Sequence, residues 1–476
     1  MQRRFSPSAA GPRSKAIGSV IARMILPKKD TERQTIGSTG AEALFLKILL
    51  FGLGFVGSIV VSRAVGPEGR GLYYLPVVAA TTVTVLVKMG LQNANVYLLG
   101  TRGISVDRLA GQNGLVALVM GSIGALAMLQ GPWLFPSVFG QTPPILLLLA
   151  ALTVPFSLYQ MFSNGLLNLL GVVTWQFRGS LISGVVQLSV LVGLGLSGRL
   201  DPVAVVAVTL MTQIISWGLT QLAFDPPNML RVRFDIALLR ETLASSLILH
   251  LGMVLYYLHL RLDTFMVQAM AGPTALGQYS LAVMFAETIQ MGSDSLAVSI
   301  LPRQVGDNLR DSASLALRGS RMNVLISLGL GLGWAVTGYW VIQVFYGPAF
   351  APAYLPLLAL LPAMIALGVQ RCTGAPVLRV GAPWKFAAIY GASVLVNVGL
   401  NLFLIPALGI TGAALASSAS YSMEALLFLV WVARIGGAGI TEGLVPNRAD
   451  AVRLFVAARD IARPFMRLAS TRRPTA

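Results

Sequence analysis

The chain has 476 residues, of which 55% are hydrophobic and only 11% are charged. An ordinary soluble domain carries about 25% charged residues, so this composition excludes a soluble protein and predicts an integral membrane protein. The net charge of +17 would favour a nucleic-acid partner in a soluble protein, but here the positions of the charges predict none. Cys372 is the only cysteine, which excludes an intrachain disulfide.

Residues 1–41 form a basic N-terminal segment. They are rich in Arg, Lys, Pro, Gly and Ser, and no small-residue cleavage site follows an apolar run. This pattern predicts a cytoplasmic tail rather than a signal peptide.

Long apolar stretches follow from residue 43 onward. Each is about 20 residues long, enough to cross a bilayer, and must be helical because lipid offers the backbone no hydrogen-bonding partner. The predicted spans are 43–64, 73–98, 110–131, 144–170, 177–197, 202–224, 243–269, 279–301, 322–346, 354–370, 385–405 and 410–433. The prediction is an all-α polytopic membrane protein with twelve transmembrane helices in two pseudo-symmetric six-helix lobes around a central cavity.

The division into lobes comes from a repeated motif. Gly66, Pro67, Gly71 and Tyr73 recur with the same spacing as Gly272, Pro273, Gly277 and Tyr279, each time between two apolar runs. Gly and Pro both end helices, and Tyr suits a membrane interface. The repeat predicts an N-lobe at 42–224, a cytoplasmic linker at 225–242 and a C-lobe at 243–434, related by an axis along the membrane normal.

The distribution of basic residues predicts the orientation. Among the 35 Lys and Arg residues, Arg63, Arg70 and Arg199 fall in predicted outer loops, and Lys47, Lys88 and Arg261 lie within predicted helices. The rest lie at the other membrane face, so both termini are expected in the cytoplasm. Residues 435–476 include a basic amphipathic pattern that predicts a cytoplasmic tail lying on membrane lipids.

Ionisable residues inside spans are costly and therefore mark functional candidates. Lys88 and Arg261 lie deep in their predicted spans and are the first candidates to bind an anionic substrate. Lys47 is a further candidate, although it lies near a helix end where its side chain could simply reach the interface. The candidate ion-coupling or cavity acids are Asp263, Glu287 and Asp294, and an internal pair of Arg261 with Asp263 or Glu287 is the alternative. The histidines lack metal-ligand spacing, so no metal site is predicted.

Catalytic signatures are missing from the sequence. No phosphate-binding glycine-rich loop precedes a Lys-Ser or Lys-Thr pair, which makes ATP hydrolysis and a nucleotide cofactor unexpected. The predicted outer loops hold almost no Asp, Glu or His that could act as a general base. The sequence therefore predicts a protein that is not an enzyme.

The chain resembles the polysaccharide biosynthesis and oligosaccharide flippase family, within the superfamily that includes multidrug extruders and lipid II flippases. The resemblance covers roughly residues 40–435. It rests on Arg63 through Pro67, Gly71 to Tyr73, Gly90-Leu91, Asp263, Ala271 to Pro273, Gly277 to Tyr279, Asn401, Pro406, Gly409-Ile410 and Gly412 to Ala416.

The resemblance implies a flippase in the cytoplasmic (inner) membrane that moves a polyprenyl-pyrophosphate-linked oligosaccharide by alternating access, for surface polysaccharide biosynthesis. It implies that cavity cations, here Lys88 and Arg261, hold the lipid headgroup. Polysaccharide polymerase and export machinery are the further partners it suggests. Two alternatives stay open: a cation-coupled multidrug extruder of the same fold, which would favour an acidic and aromatic cavity, and a membrane enzyme of glycan assembly.

Overall fold

The computed structural model describes residues 36–91, 106–170, 173–222, 236–304, 308–379 and 383–452. Most of the N-terminal tail, the first part of the predicted linker and the amphipathic pattern beyond residue 452 lie outside these ranges. Within them, nine helices are long and apolar enough to cross a membrane by length and composition, and the first of these, Leu46–Val87, holds two spans.

The first two spans form one hairpin with a single-residue turn. Helix Ile36–Val87 is broken only at Gly66, where φ is 67° and ψ is −175°. A positive φ is easily adopted by Gly, and Pro67 then takes the first position of the next helix, where its missing N–H is harmless. The hairpin therefore consists of α1 (36–65) and α2 (67–87), and the predicted loop up to Tyr73 is wrong because helix resumes at once.

The second copy of the motif has the same backbone. Helix Ile236–Glu287 is broken at Gly272, with φ 82° and ψ −179°, which gives α7 (236–271) and the first part of α8 (273–287). After a tight turn at 288–289, α8 continues as Gln290–Gln304. The sequence repeat is thus also a conformational repeat. We call the end of the molecule that carries Gly66 and Gly272 the Gly-Pro end.

The remaining helices complete two sets of six among the described residues. In the first half they are α3 (Val106–Leu129), α4 (Pro144–Leu169), α5 (Val173–Leu196) and α6 (Pro202–Gln221). In the second half they are α9 (Leu309–Val341), α10 (Tyr354–Arg379), α11 (Pro383–Leu408) and α12 (Ile410–Gly436). The short helices Gly131–Leu134, Pro136–Phe139, Ile342–Tyr346, Pro348–Ala353 and Thr441–Leu444 lie between or after them. The predicted architecture is confirmed.

The two halves meet mainly through their first hairpins. α1–α2 packs against α7–α8, and the hydrophobic core between them includes Leu75, Leu276 and Phe285, all at most 1% exposed. The rings of Phe55 and Phe285 meet edge to face, with centroids 6.1 Å apart. This interface positions the candidate site.

Candidate transport site

A cavity of about 650 Å³ lies between the lobes. Its walls come from α1, α2, α5 and α6 on one side and from α7 and α8 on the other. The N-lobe therefore supplies most of the cavity wall, and the C-lobe hairpin α7–α8 supplies the rest. Its volume lies within the range of pockets that hold small organic ligands, about 300–1,000 Å³.

Arg70 is the buried cation of this cavity, and it was missed by the sequence prediction, which placed it in an outer loop. It lies in α2 and is 3% exposed. Its guanidinium donates to the hydroxyl oxygens of Ser280 (2.9 Å), Ser58 (3.0 Å) and Ser62 (2.6 Å). No carboxylate pairs with Arg70 among the described residues. The partners are neutral, so its positive charge faces the cavity uncompensated.

Arg261 also lines the cavity, as predicted for a deep residue of α7. Its Nη1 forms an ion pair with Glu287 Oε1 at 2.9 Å, with side-chain exposures of 20% and 43%. The alternative of an internal pair is therefore present here, with Glu287 as the partner. The pair stands on the cavity wall rather than inside a lobe, so both charged groups remain accessible to a ligand.

Lys88 lies just beyond the helical segment α2. Helix α2 ends at Val87, and Lys88 begins the turn that continues through Met89 and Gly90, where φ is 50° and 73°. Its side chain is 9% exposed, and it has no ion pair within the described part of the chain. Residues 92–98 of its predicted span lie outside the described ranges, so its predicted depth stays a prediction. Its role in substrate binding stays a prediction.

Lys47 lies on the exposed face of α1, outside the cavity wall. Its Nζ is 5.5 Å from the ring centroid of Phe177 in α5. This is the geometry of a cation–π contact. It anchors α1 to α5 and gives Lys47 no position in the cavity; its predicted substrate role stays untested.

Asp263 lies inside the C-lobe rather than in the cavity, and it is 3% exposed. Its Oδ2 accepts hydrogen bonds from Tyr279 (2.5 Å) and Ser417 (2.9 Å), and its Oδ1 accepts from the backbone N–H of Thr264 (2.7 Å). All these donors are neutral. Tyr279 is the Tyr of the second Gly-Pro motif, whereas its N-lobe counterpart, Tyr73, lines the cavity.

A buried pair of a histidine and a glutamate lies close to Asp263 and extends its polar network. His259 Nδ1 and Glu424 Oε2 are 2.7 Å apart, and both side chains are fully buried. The other ring nitrogen of His259 lies 3.0 Å from Ser420 Oγ, and Asn397 donates to the same hydroxyl at 3.0 Å. The sequence prediction left Glu424 without a role, since nothing in the sequence indicated which α7 residue it faces.

Asp294 forms an ion pair with Arg371 of α10. Glu287, Gln290 and Asp294 would share one face of a continuous helix, but the tight turn at 288–289 changes the direction of the side chains that follow. Gln290 therefore donates to the carbonyl oxygen of Met364 (2.7 Å), also in α10. Of the three, only Glu287 lines the cavity.

Uncharged polar side chains lie among apolar ones on the N-lobe wall of the cavity. We call this the α5–α6 polar face and define it by Ser180, Ser183 and Gln187 of α5 and Thr209, Thr212 and Gln213 of α6. None of these six side chains is ionisable, so the charge pattern of the sequence does not mark them. Their spacing does: residues three, four and seven positions apart in α5, and three and four positions apart in α6, lie on one side of their helix.

The Gly-Pro end of the cavity is closed by reciprocal contacts between the motifs. A Cβ on Gly71 would overlap the carbonyl oxygen of Pro273, and a Cβ on Gly277 would overlap that of Pro67. Arg63 adds a clamp, because its Nε donates to the carbonyl oxygen of Phe345 at 2.7 Å. Both motif glycines therefore permit the close approach of the two lobes.

No cluster of three or more metal-ligating side chains occurs in the described ranges. The site is a largely apolar cavity whose described lining also holds two cations, one carboxylate and several uncharged polar groups, and it lies beside a buried acid network in the C-lobe.

The sequence model of the polysaccharide biosynthesis protein family matches residues 43–304, more than half of the chain. The chain belongs to that family. No curated protein matches the sequence.

Solved structures show the same fold at low identity. A lipid II flippase, MurJ, in an inward closed conformation has a TM-score of 0.65 at 15% identity, with 87% of this chain and 92% of that chain covered. An inward-facing multidrug resistance MATE family transporter of the MOP superfamily has a TM-score of 0.64 at 15% identity, covering 82% and 94%. A MOP superfamily transporter from Pyrococcus furiosus has a TM-score of 0.63 at 15% identity, covering 84% and 94%. The fold of this family member is thus the MOP superfamily fold.

Proposed function

We propose that this protein is a flippase that carries a polyprenyl-pyrophosphate-linked oligosaccharide across the cytoplasmic membrane by alternating access. The observation that carries the proposal is the charge of the cavity. Arg70 and Arg261 contribute two positive charges and Glu287 one negative charge to its described lining. Arg70 is buried without a carboxylate partner, which is costly unless an anion or water reaches it.

A diphosphate is the anion that suits these two residues. Guanidinium groups donate two parallel hydrogen bonds to phosphate oxygens, and the hydroxyls that now hold Arg70 are neutral and exchangeable. Arg261 could release Glu287 for a phosphate. Lys88 and Lys47, which lie outside this charged centre, are proposed as secondary contacts for the same lipid.

A multidrug extruder is the second candidate, and the cavity disfavours it. A cationic drug would meet Arg70 and Arg261, and Glu287 is the one carboxylate of the described lining and is already paired. A membrane enzyme is also disfavoured, since the described lining of the cavity offers no carboxylate or histidine free to act as a general base.

Asp263 is the proposed ion-coupling residue. Glu287 and Asp294 each have a guanidinium partner, whereas the carboxylate of Asp263 is held by neutral donors only. A buried carboxylate of this kind favours taking up a proton or a small cation. Binding there could differ between the two states of the lobes and so shift their equilibrium.

The proposal is tested with purified protein, by measuring lipid binding in nanodiscs and lipid transport in proteoliposomes. Arg70→Gln should weaken binding of a polyprenyl diphosphate by about 10- to 100-fold, since hydrogen bonds to charged groups contribute about 1.5–3 kcal/mol, and Arg70→Lys should restore part of it. Arg199→Gln, at an exposed position between α5 and α6, is the matched control. Equal binding by wild type and Arg70→Gln, or a lipid recovered with altered covalent structure, would contradict the proposal.

A further inference from the structure

The α5–α6 polar face carries no charge, and its hydrogen-bonding capacity is only partly used. Ser183 is 2% exposed, and its hydroxyl has no partner among the described residues. A buried polar atom without a partner is costly. Because Ser183 also lines the cavity, a ligand or water that enters the cavity can supply the missing hydrogen bond.

The two threonines of the face present acceptors to the cavity. Thr209 donates its hydroxyl hydrogen to the carbonyl oxygen of Val205 (2.9 Å), and Thr212 donates to Val208 (2.8 Å). Their remaining lone pairs can accept from a ligand. Gln187 supplies an amide with both donors and an acceptor. A surface that mixes donors and acceptors without charge matches a neutral polyhydroxylated ligand.

The equivalent helix pair of the C-lobe is different. Polar side chains on α11 and α12 bond to each other and to Asp263: Asn401 donates to Asn397 Oδ1 at 2.9 Å, and Ser417 donates to Asp263. Asn397, Asn401 and Ser417 are fully buried. The C-lobe pair is thus a filled core, whereas the N-lobe pair faces open space. In this state the N-lobe pair therefore faces space that a ligand can enter, whereas these described polar residues of the C-lobe pair do not.

We propose that the α5–α6 polar face is the sugar-binding half of the transport site. The neutral face lies in the same cavity as Arg70 and Arg261, so one ligand can place an anionic group on the arginines and a saccharide on α5 and α6. The inference rests on the proposed function and adds to it a location and a chemistry for sugar recognition. In this arrangement the sugar is bound by one lobe, and the diphosphate lies where the lobes meet.

The test uses purified full-length protein in nanodiscs and two kinds of probe: a short-chain polyprenyl diphosphate alone, and the same lipid carrying one glucose, galactose or N-acetylglucosamine. The triple variant Ser183→Ala, Gln187→Met, Thr212→Val removes three hydrogen-bonding groups at nearly constant volume. The control is Ser189→Ala with Thr337→Val, exposed positions whose hydroxyls bond to their own helices.

We expect wild type to bind at least one sugar-bearing lipid about 10- to 100-fold more tightly than the bare diphosphate, since each neutral hydrogen bond contributes about fivefold. The triple variant should lose that preference and keep its affinity for the bare lipid, and the control should behave as wild type. Arg70→Gln should weaken both probes. If no sugar improves binding, or if the triple variant weakens both probes equally, the sugar site is wrong while the flippase proposal stands. If wild type binds neither probe, the flippase proposal itself fails.

Discussion

Replacing Gly277 by Ala should separate the two lobes at the Gly-Pro end. The added Cβ would overlap the backbone carbonyl oxygen of Pro67, which cannot rotate away as a side chain can. Carbon–oxygen contacts normally lie at about 3.3–3.6 Å, so the two backbones must move apart by more than about 1 Å. Overpacking of this kind costs about 1–3 kcal/mol, equivalent to a shift of roughly 5- to 150-fold toward a state with the lobes apart. Gly71→Ala should act alike, because its Cβ would meet Pro273 in the same way.

The measurement is the distance between spin labels on cysteines placed at Glu68 of α2 and Ala349 of the segment after α9, both exposed. Native Cys372 is replaced by Ala. In both glycine variants the distance distribution should move to longer values. The matched control is Gly52→Ala, where an added Cβ meets nothing within 4 Å. A distribution that is the same in Gly277→Ala, Gly71→Ala and wild type would refute the idea that backbone contact sets the closure.

Three further outcomes are expected. Glu424→Ala should lower the free energy of unfolding of the purified protein by about 3–5 kcal/mol because it leaves the buried His259 unpaired. Glu424→Gln keeps an acceptor for His259 and should cost much less. Equal melting temperatures for Glu424→Ala and Glu424→Gln would argue against the pair. Asp263→Asn should abolish the response of transport to an ion gradient while leaving lipid binding intact, and a retained response would remove Asp263 as the coupling residue. Reversing the ion pair by Asp294→Arg with Arg371→Asp should restore the stability that each single variant loses, as measured by a double-mutant cycle. If the losses of stability in the two single variants add up in the double variant, the pair contributes nothing.

The sequence was sufficient for the fold because its strongest signals are local. Apolar length predicts spans, and the repeated Gly-Pro motif predicts two related hairpins, in which Gly66 and Gly272 have matching backbone angles. Only some of the charged residues that line the cavity were candidates from the sequence. Arg261 and Glu287 were candidates because charges inside spans are conspicuous, but Arg70 was assigned to a loop because the turn was expected to be several residues long.

The other errors concern what a residue faces. The turn at 288–289 interrupts α8 between Glu287 and Asp294, so the regular spacing of these two acids does not predict which residues each one contacts. The pairing of His259 with Glu424 depends on how α7 and α12 pack, which no single-helix pattern contains. The residues of the α5–α6 polar face are regularly spaced in the sequence, but none is charged, and the sequence prediction considered only charged residues inside spans.

One of the positions at which the two hairpins differ separates the roles of the two halves. Where the C-lobe has Asp263, the N-lobe has Gly57 at the corresponding place before its motif, and Gly57 lines the cavity. One copy has a glycine beside the cavity at this position, and the other has a buried carboxylate held by hydrogen bonds. Substitutions on α5 and α6 could therefore adapt the protein to a new cargo during evolution without disturbing the buried acids of the other lobe.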